Sequence, residues 1–186
     1  MNKKISLLCL LLLLPLALFA CGDGGAGGVS DTAPQTQETE GTAPLPQEVT
    51  GISVLGVVAE RGGLARVTVS VKGNPGFEGI SLRLYYDKDV LTPVSATGKE
   101  GGLFMSNATE GTVPPAEGNA PYVTLVWASA SVMAEDGELF TVTFRVKEES
   151  HVTQTALSVG IAEMQKGGEE FTLPLHPGQI KIVDLE

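Results

Sequence analysis

From about Val49 onward, apolar and polar residues alternate at every second position over several short runs. Ala65–Val71 sets Val67, Val69 and Val71 against Arg66, Thr68 and Ser70. Ile80–Tyr86 sets Ile80, Leu82, Leu84 and Tyr86 against Ser81, Arg83 and Tyr85. Val123, Leu125 and Trp127 share one parity, as do Phe140, Val142, Phe144 and Val146, and Ile180-Lys181-Ile182 repeats the pattern near the end. In an extended chain successive side chains point to opposite faces, so each run predicts a strand with one face buried. Turn-forming residues separate the runs at Arg61-Gly62-Gly63, Gly73-Asn74-Pro75-Gly76, Gly101-Gly102, Pro114-Pro115, Asp136-Gly137 and Pro177-Gly178. No long segment has helical spacing. Many short strands with frequent turns predict an all-β fold, an antiparallel jelly-roll-like sandwich over residues 49–186. Within it, Trp127 belongs to the core by parity, and Asp87 opens a turn where its carboxylate caps backbone N–H groups. Residues 98–121, rich in Gly, Pro and Glu, read as a long loop.

The first 48 residues follow other rules. Lys3 and Lys4 precede an apolar run from Ile5 to Ala20, too short and wrongly flanked for a stable membrane span, which reads as a secretory signal. It ends in Leu18-Phe19-Ala20-Cys21, which resembles the bacterial lipoprotein signal. That resemblance implies cleavage before Cys21 and acylation of its thiol, leaving the exported protein anchored in the cell membrane and facing outward. Residues 22–48 are Gly-rich and then rich in Ser, Thr, Gln, Glu and Pro, with almost no bulky apolar side chain. Such a segment cannot offset its ordering entropy by burial, so it predicts a disordered linker. As a random coil it holds the domain about 30 Å from the membrane.

Charge and cysteine content narrow the function. The chain carries 12 basic and 22 acidic residues, a net charge of −10. That balance excludes nucleic acid, and contact with the membrane other than through the anchor, because both surfaces select basic patches. Of the two cysteines, Cys9 lies in the signal, so neither a disulfide nor a thiolate metal site is expected in the domain. His151 and His176 are isolated and show no metal-ligand spacing, and no nucleophile motif accompanies them. Asp87 and Asp89 are too few oxygens for calcium. The reading is therefore of a binding module with no catalytic residues, metal or cofactor.

The strands also resemble cohesins, the domains by which cellulosome scaffolds hold dockerin-bearing enzymes. The resemblance runs from about Thr50 to Asp184. It is carried by Arg66–Val71 with Gly79–Asp87, by Val90-Leu91 with Pro93-Val94, by the strand Asp136–Val146, and by the closing Gly178–Val183. It implies a surface-displayed, non-catalytic module that recruits a dockerin or other protein partner in polysaccharide degradation, any calcium belonging to the dockerin. The partner is expected on an outward sheet face. The residues expected there are Gly79, Ser81, Arg83 and Tyr85, joined by Thr143 and Arg145, with Thr141 and Leu139 outward on the same strand. Arg and Tyr are enriched at interface centres, which singles out Arg83 and Tyr85. The chain departs from the family at Gly79 and Ser81, where type I cohesins carry hydrogen-bonding Asn and Asp. The alternative is a carbohydrate-binding module attaching the cell to polysaccharide. That needs coplanar exposed aromatics, for which Tyr85 and Tyr122 are the candidates.

Overall fold

The structure, a computed structural model, describes residues 49–118 and 120–184. The signal, Cys21 and the linker lie outside the described residues. Among the described residues, thirteen strands form two stacked sheets. One sheet has five strands in the order β12 (Leu175–His176), β1 (Gly51–Val54), β3 (Leu64–Lys72), β9 (Gly137–Val146) and β5 (Leu91–Gly98). The other contains β2 (Val57–Glu60), β13 (Gly178–Val183), β10 (Gln154–Lys166), β4 (Phe77–Tyr85), β8 (Ala120–Met133) and β6 (Leu103–Ser106) in that order. Two short strands extend it, β11 (Glu169–Phe171) against β10 and β7 (Ala116–Glu117) against β8. Pairing is antiparallel except for β1–β12 and β13–β2, which are parallel.

The alternation explains the stacking. Val67, Val69, Val142 and Phe144 of one sheet and Leu82, Leu84, Leu125 and Ile180 of the other are fully or almost fully buried in one shared core. Each such side chain contributes about 1.5–3 kcal/mol by leaving water. Trp127 is buried, and its indole N–H donates to the Lys99 carbonyl at 2.9 Å. Tyr86 is buried against Phe144, with ring centroids 5.2 Å apart. The Asp87 carboxylate accepts the Asp89 N–H at 2.8 Å, which closes the expected turn.

Three details depart from strict alternation. Leu139, expected outward, is buried. The β3–β9 register passes from Val69 opposite Phe140 to Ser70 opposite Glu138, so Leu139 is the extra residue of a β-bulge and turns inward beside Phe140. The expected loop 98–121 contains β6, paired with β8 from Leu103–Ala128 to Ser106–Leu125, and the β7–β8 hairpin. Asn107 in that stretch uses its side-chain oxygen to accept the Thr124 N–H at 2.7 Å. Finally, β10 carries its own bulge between Gly160 and Glu163, so its inward set shifts from Thr155 and Leu157 to Ala162 and Met164.

Candidate partner-binding face

Strand β4 lies inside the eight-stranded sheet, with β10 on one side and β8 on the other. Its inward residues Ile80, Leu82 and Leu84 are locked in the core, which forces Gly79, Ser81, Arg83 and Tyr85 onto the outer face. Register extends this row sideways. Gly79, Ser81, Arg83 and Tyr85 stand opposite Ala128, Val126, Thr124 and Tyr122 of β8. On the other side they stand opposite Gln165, Glu163, Gly160 and Ser158 of β10.

One end of this face is a connected polar and aromatic cluster. The Arg83 guanidinium lies 4.7 Å from the Tyr122 ring centroid, and its Nη1 donates to Glu117 Oε2 at 3.1 Å. The Tyr85 hydroxyl donates to the same oxygen at 2.5 Å. Glu117 arrives from β7, which folds back on β8 with Glu117 opposite Ala120 and Gly118 in the left-handed conformation of the connecting turn. Each link is weak alone, because an ion pair or a cation–π contact at the surface competes with water and is screened by salt. Together they hold an Arg and a Tyr in fixed orientations on the outer face of the sheet. The Tyr85 hydroxyl pulls the Glu117 carboxyl below the ordinary glutamate range, with Arg83 adding to the effect. The same hydrogen bond raises the Tyr85 hydroxyl pKa. Hydrogen bonding with Tyr85 raises that of Arg83.

The expected site residues separate into two groups. Gly79, Ser81, Arg83 and Tyr85 form one continuous row. Thr143 and Arg145 do not join it, because β9 belongs to the five-stranded sheet and its outward residues face the opposite side of the sandwich. Arg145 instead pairs there with Glu110, Nε to Oε1 at 3.3 Å. Alternation along one strand reveals a buried side but not which sheet the strand joins, so the two rows merged in the sequence reading. Glu117 and Gly160 were absent from that reading: their places follow only from the hairpin fold and from cross-strand register.

The geometry also bears on sugar binding. Tyr85 and Tyr122 are neighbours, with centroids 5.5 Å apart, but their planes meet at 59°. They do not form the coplanar platform on which a sugar chain stacks. Among the described residues, no three His, Cys, Asp or Glu side chains are grouped as metal ligands.

The cohesin-domain profile matches residues 51–176, more than half of the chain, and the chain belongs to the cohesin family. Solved structures agree on the fold. A type I cohesin from Clostridium thermocellum, solved in a cohesin–dockerin complex, is 17% identical with a TM-score of 0.59, covering 72% of this chain and 93% of that one. The sixth cohesin of Acetivibrio cellulolyticus scaffoldin B, in complex with a Cel5 dockerin, is 14% identical with a TM-score of 0.60, covering 72% of this chain and 98% of that one. A non-cellulosomal cohesin from the archaeon Archaeoglobus fulgidus is 23% identical with a TM-score of 0.57, covering 72% of this chain and 90% of that one. No curated protein sequence matches.

Proposed function

We propose that the domain is a non-catalytic recruiting module that docks a dockerin-bearing protein on the outer face of its eight-stranded sheet. The observation that carries this reading is the Arg83–Tyr85–Tyr122–Glu117 cluster, a set of oriented interface-type side chains on an outer sheet face of a cohesin fold. The dockerins in the complexes of similar fold support the choice of partner. The partner serves polysaccharide degradation outside the cell. The domain stands there on the linker 22–48, anchored through lipidated Cys21.

Two experiments test the two halves of this reading. The immobilised protein is exposed to the organism's secreted proteins with and without a calcium chelator. Calcium-dependent capture of a dockerin-bearing polysaccharide-degrading enzyme is expected, and retention of no dockerin contradicts the recruiting role. Replacing Cys21 by Ser is expected to move the protein from the membrane fraction into the medium or the uncleaved precursor. An unchanged distribution contradicts lipid anchoring.

A further inference from the structure

The recruiting function makes no use of the five-stranded sheet, yet the outer face of that sheet holds a cavity of about 520 Å³. Small-molecule sites typically enclose about 300–1,000 Å³. The cavity lies where β12, β1 and β3 run side by side, with the start of β9 at its edge. Burial of Ile52 and Val54 turns Ser53 outward, and burial of Val69 and Val71 does the same for Ser70. Ser53 stands opposite Ser70 on one side and His176 on the other. Directly opposed side chains on antiparallel neighbours have Cβ atoms about 4.5–5.5 Å apart, close enough for both hydroxyls to reach one ligand. Among the described residues neither hydroxyl has a hydrogen-bond partner.

The other polar groups around the cavity are held in place. His176 Nε2 lies 3.0 Å from the Thr50 carbonyl oxygen. A carbonyl only accepts, so Nε2 carries the hydrogen, and Nδ1 of the uncharged ring is left as an acceptor. Asp136 Oδ1 accepts the Asn74 N–H at 2.9 Å, and Oδ2 lies 3.5 Å from Lys72 Nζ. The Asn74 side-chain amide donates to the Met133 and Glu135 carbonyls at 3.1 and 3.0 Å, which pins the turn that delivers Asp136. Backbone N–H groups of Asn74 and Gly73 hold the Asp136 carboxyl below the ordinary aspartate range, with Lys72 adding to the effect. The rim is apolar: Val49 and Leu55 are exposed there although both are large and hydrophobic, and Pro177 joins them.

These groups discriminate between classes of ligand. An anion meets the Asp136 carboxylate, and a cation meets the Lys72 ammonium beside it. A wholly apolar ligand strips water from two serine hydroxyls and an ion pair without replacing the hydrogen bonds. A sugar satisfies all of them, because its hydroxyls both donate and accept while its C–H face packs on Val49, Leu55 and Pro177. We propose that this cavity binds a neutral saccharide, held by the hydroxyls of Ser53 and Ser70 and flanked by Lys72, Asp136 and His176. It lies on the opposite side of the sandwich from the Arg83–Tyr85 row, so a glycan and a protein partner occupy separate faces.

The test is amide NMR on the whole chain, so that the segment preceding Val49 is present to compete. The probes are cellotetraose, xylotetraose, chitotetraose and the acidic tetragalacturonate. At least one of the three neutral sugars is expected to shift the amides of residues 51–55 and 70–72 saturably, and tetragalacturonate to leave them unmoved. Preference for cellotetraose or xylotetraose identifies an external polysaccharide as the source of the ligand, and preference for chitotetraose identifies an N-acetylated glycan of a cell wall. Ser53→Val combined with Ser70→Val is expected to weaken binding at least ten-fold. Its thermal midpoint is expected to hold or rise, since valine suits an exposed strand position, and that combination separates lost contacts from lost fold. Ser95→Val, the same exchange on β5 of the same sheet, is the control and is expected to bind as the unaltered protein does. The proposal is overturned if no neutral sugar shifts these amides, if tetragalacturonate shifts them more strongly, or if the double variant binds as tightly as the unaltered protein.

Discussion

The ring of Tyr85 lies directly over the backbone of Gly160 on the neighbouring strand, so close that a Cβ on Gly160 would overlap Tyr85 Cε2. Gly160 is therefore glycine for clearance and not for conformation. Its vacancy lets the tyrosine lie flat along the sheet and reach Glu117. Gly160→Val is expected to lift the ring, break the Tyr85–Glu117 hydrogen bond and release Arg83 from its fixed orientation. The readout is the Glu117 carboxyl, followed by carbon-detected NMR titration. In the unaltered protein it titrates below ordinary glutamates, since hydrogen bonding favours the ionised form. In Gly160→Val it moves up toward them. An unchanged titration shows that the hydroxyl is not held by this contact.

The two outer faces of the sandwich are predicted to behave differently. Arg83→Ala combined with Tyr85→Ala abolishes partner binding and leaves the thermal midpoint nearly unchanged, because both side chains are partly exposed. Thr143→Ala combined with Arg145→Ala, on the five-stranded sheet, leaves affinity as it was. Titration calorimetry on both pairs checks this, and loss of binding in the second pair moves the interface to the opposite face.

Trp127 separates folding from recognition. It is 3% exposed, packs edge-on against Phe77 with centroids 5.8 Å apart, and donates to the Lys99 carbonyl. Trp127→Ala is expected to cost about 3–5 kcal/mol, the range for truncating a large aromatic core residue. Denaturant unfolding measures it. A well-folded Trp127→Ala protein would remove the residue from the core account.

Tyr86 sets a limit at high pH. Burial disfavours its phenolate and pushes its pKa up to about 12, against the ordinary tyrosine value of about 10. The unfolded chain therefore releases this proton first as pH rises. The stability linked to it is complete below about pH 10 and is lost progressively toward the folded value. Absorbance of tyrosinate should show a late step that Tyr86→Phe removes, accompanied by falling stability. Tyr86→Phe removes that linkage, and an identical loss of stability in Tyr86→Phe contradicts it.

Much of the fold was legible where alternation is unbroken. Residues 65–71, 123–127, 140–146 and 180–182 fall inside β3, β8, β9 and β13, and the 80–86 run ends one residue beyond β4. Bulges hid the rest. Strand β10 spans Gln154–Lys166, yet its inward residues change parity at Ile161, so no period-two run survives across it. Leu139 was misplaced for the same reason. Strands β6 and β7 are short and follow Gly- and Pro-rich segments, and pairing with β8 rather than local pattern makes them strands. The candidate site was half legible. The β4 row could be read because one strand supplies it, whereas Glu117 and Gly160 reach that row through long-range register, which local spacing does not encode.

The recruiting function is tested most directly by titrating a calcium-loaded dockerin from the organism's secreted enzymes into the whole chain and into its Arg83→Ala/Tyr85→Ala variant. The account predicts saturable binding to the unaltered protein that calcium chelation abolishes, and none to the variant. No binding to the unaltered protein, or equal binding to both, contradicts it.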